Sequence, residues 1–344
     1  MNLRSSAALA ITGLTAVALV GCSTANPESS NTGDAPIQIV ATTTQVGDFT
    51  RELTKGLNVE VTQLLEPGMS VHSFEATPDD LVTLGAADLV VASGAGLEEW
   101  LDPTIGASGY TGTVVDASSS VELSGTNDEE GATGDGHAEA EAEHEGEEGE
   151  VHAEQNPHTW TSPANAQQMI ADIAANIQTV EGIDAGLVQE NADAYSAKLD
   201  ELDAWIADNV ATVPEAQRLV VTNHNVLHYY LQEYGITFVG SIMPSFDDSA
   251  EPSAAEIDAL IAAMEEQDVQ AIFTETQLSP QTAETIATET GARVFSGDDA
   301  LVTDALTEEG TPTASYLGAT IHNTELLMDS WGATATAPPA ALID

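Results

Sequence analysis

Eight histidines and a single cysteine are the residues of this 344-residue chain best suited to holding a transition metal. Four of the histidines, His137, His144, His152 and His158, fall in one stretch, HAEAEAEHEGEEGEVHAEQNPHTW. Up to Gln155 it is built from Ala, Glu, Gly and His, which offer too little apolar area to offset the ordering of a backbone. It therefore reads as a strongly negative loop that carries imidazoles. At Asn156-Pro157-His158-Thr159-Trp160 the character changes and a helical pattern follows. One histidine thus stands where order begins, and the others hang on a tether leading to it. Nitrogen ligands on an acidic leash suggest capture of a divalent cation.

His72 and His224 share a setting with His158. Each lies beyond the end of a strand pattern or at a helix start, next to Pro or Asn, or in a loop with turn chemistry. In open α/β sheets ligands bind outside the carboxyl ends of the strands, so three histidines at equivalent places point to one shared site. Neutral imidazoles suit Zn2+, which takes about four N, S or O ligands in a tetrahedron. With Cys22 the only cysteine, no thiolate cluster can form, and the fourth ligand must be a carboxylate or water. His228, one helical turn after His224, reads as a packed surface group, with a second ligand as the alternative. His322 sits inside the last helical pattern and reads as structural.

The elements that would position these residues alternate. Short β-branched runs at residues 37–44, 59–65, 88–92 and 113–116 read as buried parallel strands, separated by helices at 46–55, 77–86 and around Leu97 and Trp100. Thr77-Pro78-Asp79-Asp80 has the chemistry of a helix start. After Pro163 a helix to about residue 180 precedes a longer one from about 185 to 209, whose Val188, Tyr195, Leu199, Leu202 and Ile206 fall on one stripe. The alternation resumes with strands at 218–222, 237–240, 271–274 and 292–295, helices at 254–267 and 280–290, and a last helix at 315–328. The expected fold is α/β: two (β/α) lobes with parallel sheets, joined by a long helix, with the site between the lobes. The expected divisions are a signal segment 1–22, a tether 23–36, a first lobe 37–183 containing the acidic loop 121–155, a linking helix 184–210 and a second lobe 211–344.

Charge narrows the partners. Lys+Arg number 6 against Asp+Glu 57, a formal net charge of -51, and the acidic loop holds only a minority of those carboxylates. Nucleic acid, whose phosphates need a basic footprint, is excluded as a partner. A cation-attracting surface and a surface adapted to salt both fit. Arg4, the apolar run from Ala7 to Val20 and the closing Leu19-Val20-Gly21-Cys22 read as an export signal, too short to span a membrane comfortably. Leu-Val-Gly-Cys followed by Ser-Thr resembles a bacterial lipobox. That implies cleavage before Cys22, lipidation of the cysteine and anchoring to the outer face of the cell membrane. Monomer is the expected state.

Across residues 37–331 the chain resembles the metal-binding lipoproteins that feed ABC importers for zinc or manganese, the cluster A-I solute-binding proteins. The segments that carry the resemblance are Gly68-Met69-Ser70-Val71-His72-Ser73-Phe74-Glu75, residues 87–94 with Leu97-Glu98-Glu99-Trp100-Leu101, and Asn156-Pro157-His158-Thr159-Trp160-Thr161-Ser162-Pro163. Further on come Thr222-Asn223-His224 with residues 229–235, Phe273-Thr274-Glu275, and residues 316–323. The resemblance implies His72, His158 and His224 as metal ligands, with an acidic fourth ligand from the Asp298-Asp299 turn. Asp299 aligns best and Asp298 is the alternative. It also implies an importer permease and its ATPase as partners. Asn225 replaces an Asp frequent in relatives and cannot supply a charged partner to orient His224.

Manganese binders of that family usually place a carboxylate where this chain has His224, which moves the expectation toward Zn2+, with Mn2+ the alternative. The loop with His137, His144 and His152 is expected to act as a low-affinity zinc collector. A zinc-dependent hydrolase, with Glu75 as base, and a surface adhesion lipoprotein are rival readings. No His-Glu-x-x-His helix supports the first, so a binding protein and not an enzyme is expected.

Overall fold

The computed structural model describes residues 35–125, 155–246 and 250–343. Cys22, most of the tether, and His137, His144 and His152 lie outside the described residues. Pro36–Asp344 forms one compact unit. Among the described residues no helix is long and apolar enough to cross a membrane.

The first half is a parallel sheet of β1 (Ile37–Ala41), β2 (Val59–Gln63), β3 (Leu89–Ala92) and β4 (Thr113–Asp116) in the order β2-β1-β3-β4. β1 is central, with Ile39 opposite Val61 on one side and Leu89 on the other. Its residues Ile39, Val40 and Ala41 are buried, as a strand covered on both faces requires. Three helices connect these strands, α1 (Thr44–Leu53), α2 (Pro78–Gly85) and α3 (Leu101–Ser108). α2 starts where the sequence chemistry places it. Thr77 accepts from the Asp80 amide while the Asp80 carboxylate accepts from the Thr77 amide, a reciprocal cap with Pro78 in the first turn.

Two helices lead onward, α4 (Pro163–Ile177) and the 26-residue α5 (Ala185–Val210). At its fixed rise α5 spans about 39 Å. The stripe Val188, Tyr195, Leu199, Leu202 and Ile206 is buried as its spacing requires, and Asp184 caps the start by accepting from the Gly186 and Leu187 amides.

The second half pairs β5 (Leu219–Thr222) with β6 (Thr237–Ser241), and β7 (Ala271–Phe273) with β8 (Arg293–Phe295), all parallel. α6 (His228–Glu233), α7 (Ala254–Gln267) and α8 (Gln281–Thr290) are its connections. The final helix α9 (Tyr316–Ser330) returns to pack on α5 and α1. One apolar cluster therefore runs through both halves, from Ile39 and Phe49 through Ile173, Leu199 and Ile206 to Tyr230, Phe273 and Leu327. The architecture is α/β with parallel sheets, as the alternation predicts. α6 was not expected as a helix.

Candidate metal centre

Four side chains converge from four strand ends. His72 lies in the loop after β2, His158 after β4, His224 after β5 and Asp304 in the extended segment after β8. One ligand atom from each lies within 4.8 Å of all the others. His72 Nε2 is 3.1 Å from His158 Nε2, which is 3.3 Å from His224 Nε2. The Asp304 carboxylate closes the group, at 3.5 Å from His158 Nε2, 3.7 Å from His72 Nε2 and 3.8 Å from His224 Nε2. A tetrahedron whose centre is about 2.1 Å from each corner has edges of about 3.4 Å, so these separations suit one zinc-sized ion with four ligands. The Asp304 side chain is 1 % exposed and those of His158 and His224 at most 3 %. His72 is the most open at 9 %.

Each loop is held from behind. The His72 amide donates to Ser70 Oγ, and the Trp100 indole N–H donates to the carbonyl of buried Val71. His158 is fixed by Asn156, whose Oδ1 accepts both the His158 amide (3.0 Å) and its Nδ1–H (2.9 Å). An amide oxygen only accepts, so Nδ1 carries the proton and the Nε2 lone pair faces the other ligands. Burial first, then the neighbouring His224, His72 and His228, hold the His158 pKa well below the usual histidine range. The ring is neutral at pH 7, as a metal ligand must be.

The charged partner of His224 is Glu275, whose Oε1 lies 2.8 Å from His224 Nδ1 and also accepts from the His224 amide. Its Oε2 accepts from Thr303 Oγ1 at 2.7 Å, directly beside Asp304. One buried carboxylate therefore braces two of the four segments, and the absence of charge at Asn225 is made good from another strand. Asn225 contributes its carbonyl, which accepts from Asn156 Nδ2 at 2.7 Å.

The fourth member of the cluster is not the expected acidic residue. Asp298 and Asp299 lie in an exposed 3-10 turn at Gly297–Asp299, and Asp299 pairs with Arg293 at 3.3 Å. After that turn the chain becomes extended again. The Leu301 amide donates to the Thr274 carbonyl and Leu301 bridges Glu275, which carries the backbone inward and delivers Asp304 to the histidines. The available signal was a carboxylate inside an apolar run, Leu301-Val302-Thr303-Asp304-Ala305-Leu306.

His228 is not in the group of four. Its Nε2 meets Ser124 Oγ at 2.7 Å, next to Gly125, which pairs with Gln155. His322 Nε2 bonds the Ala300 carbonyl. Glu75 is exposed, lines a cleft with Glu66, Met69 and Phe74, and is not a member of the cluster of four.

Parallel strands that present three imidazoles and a carboxylate in one sealed cluster define a metal-binding protein. The sequence profile of the zinc-uptake complex component A family, periplasmic (ZnuA), matches residues 39–330, and the chain belongs to this family of ABC-importer substrate-binding proteins. It is 25 % identical over 310 residues to the manganese-binding lipoprotein MntA of Halalkalibacterium halodurans, covering 90 % of this chain and 93 % of that one. It is 28 % identical over 282 residues to the high-affinity zinc uptake system protein ZnuA of Bacillus subtilis, covering 80 % and 82 %. A manganese-bound variant of the periplasmic metal-binding protein of Candidatus Liberibacter asiaticus superposes with a TM-score of 0.72 at 24 % identity, over 86 % of this chain and 99 % of that one. That likeness shows the shared fold.

Proposed function

We propose that the protein captures Zn2+ outside the cytoplasm, with His72, His158, His224 and Asp304 as ligands, and delivers it to the permease and ATPase of an ABC importer. The observation that carries the reading is the donor set, in which three imidazole nitrogens stand with a single coordinating carboxylate. Zn2+ is satisfied by four such ligands at tetrahedral spacing, whereas Mn2+ favours more oxygen donors and a higher coordination number. Family membership supports metal delivery, and relatives named for manganese and for zinc both occur. Neutral imidazoles with the Asp304 and Glu275 carboxylates balance a divalent cation, so the loaded centre carries no net charge in its dry surroundings.

The acidic loop is a collector of low affinity that raises the local zinc concentration near the site. Cys22 supplies the lipid anchor, and the protein works as a monomer. Four protein ligands leave no open position for an attacking water, which disfavours the hydrolase reading, and Glu75 stands apart from the cluster.

The test is competition on metal-stripped protein, read as a shift in melting temperature. Zn2+ should raise Tm more than Mn2+ at equal concentration and displace bound Mn2+; the reverse order would overturn the zinc reading. The same titration on a chain with residues 126–154 excised should give an unchanged equilibrium affinity and slower capture from dilute zinc. Equal capture rates would remove the collector.

A further inference from the structure

Phe246, which belongs to no ligand set, packs against all three candidate imidazoles. Its ring centroid is 4.9 Å from that of His158, 5.7 Å from His224 and 6.0 Å from His72. The imidazole centroids are themselves 5.0, 5.2 and 5.7 Å apart. Four rings at near-equal separations form a compact tetrahedral cluster, with Phe246 over the triangle made by the other three. The Asp304 carboxylate lies 3.5, 3.7 and 3.8 Å from the three Nε2 atoms, so in a tetrahedron of these four ligands the face opposite Asp304 is the three-imidazole triangle against which Phe246 packs. Phe246 is tied in place through its own segment. The Ile242 amide donates to the Thr222 carbonyl and the Met243 amide to the Asn223 carbonyl, so the chain leading to Phe246 is laced to the residues just before His224.

The geometry points to Phe246 as a specificity-determining residue: it occupies the approach opposite Asp304, through which a fifth ligand would reach the ion, and so holds the coordination number at four. The inference rests on the zinc-site reading above. A tetrahedral ion accepts a further ligand through the face opposite an existing one, and here that face is the three-imidazole triangle. A phenyl ring on it offers no lone pair and presents an apolar surface where a water would have to be held. Zn2+ loses nothing, because four donors satisfy it, whereas Mn2+ is denied the waters that would complete its octahedron. The apolar ring also keeps solvent from the imidazoles during exchange.

The test uses Co2+ as a spectroscopic stand-in, with Zn2+ and Mn2+ competition alongside, on wild type, Phe246→Ala and Phe246→Leu. Wild type loaded with Co2+ should show the intense visible absorption of a four-coordinate ion. Phe246→Ala should lose most of that intensity as water enters, release zinc faster to a chelator, and narrow the Zn2+-over-Mn2+ preference by about tenfold. Phe246→Leu, which restores apolar bulk, should recover much of the spectrum. If wild type is tetrahedral and Phe246→Ala leaves both spectrum and preference unchanged while folded, the role of Phe246 is wrong and the zinc site stands. If wild type binds no Co2+ or Zn2+, or holds Co2+ with weak octahedral absorption, the zinc-site reading fails and this inference with it.

Discussion

At the scale of the residue, Asp304 and Glu275 carry the arrangement that sequence reasoning only half reached. The three histidines are legible because His158 follows Pro157 where a helical pattern starts, His224 stands between two asparagines after a strand pattern, His72 lies in a loop with turn chemistry, and a resemblance points to each. Asp304 is hidden for a physical reason. Polar turn chemistry at Gly297-Asp298-Asp299 announces itself in a sequence, whereas an extended segment that returns alongside β7 does not, and the carboxylate that joins the three histidines lies five residues beyond Asp299. Glu275 is visible in a motif, yet its contact with His224 joins residues 51 apart in the chain. In a zinc competition titration, Asp304→Ala should abolish tight binding, while Asp299→Ala, which removes only an exposed partner of Arg293, should leave it intact. Glu275→Gln keeps an acceptor for His224 Nδ1 but removes the charge, and zinc affinity should fall about 10- to 100-fold. An unchanged affinity would reduce Glu275 to a packing role.

At the scale of elements, α1 is the clamp on the segment that bears Asp304. Thr44 Oγ1 accepts from the Leu306 amide at 2.8 Å, Gln45 Nε2 donates to the Thr303 carbonyl, and Asp48 Oδ2 accepts from the Tyr316 amide at the head of α9 at 2.9 Å. None of these ties is readable from periodicity, because hydrophobic spacing assigns a helix to a face and not to a distant loop. α6 escaped for a related reason: six residues are too few to display a helical period. The long α5, by contrast, declares itself through its apolar stripe. Burial of Asp48, partly offset by the Tyr316 N–H, raises its pKa to about 6. A carboxyl whose folded pKa lies above its unfolded value contributes stability at low pH, which is lost as pH rises through the folded pKa. Between about pH 4 and 6 that loss amounts to about 3 kcal/mol. Asp48→Asn should therefore match wild type in urea unfolding below about pH 4 and exceed it at pH 7. Equal stabilities at both pH values would mean that Asp48 ionises freely in the fold. His158 acts in the opposite sense: its depressed pKa removes stability as pH falls below about 6.5, so the comparison is made between variants at each pH.

At the scale of the whole molecule, a net charge of -51 sets a mutual repulsion that a few cations cannot relieve. Two of those cations, Lys55 and Arg293, are already engaged with local carboxylates, and Arg218 bonds the Val213 and Tyr234 carbonyls. Screening must come from solvent, so Tm should climb from low salt toward about 1 M NaCl, most steeply at the start. A flat profile would show that the compact state does not feel its own charge. Gly125 and Gln155 pair antiparallel, so the stretch of sequence between them begins and ends at one point. The free energy of closing a loop grows only with the logarithm of its length. The number of residues between the two can thus change at little cost in closure free energy. A chain with a shorter or different sequence between Gly125 and Gln155 should therefore keep the cluster of His72, His158, His224 and Asp304 intact.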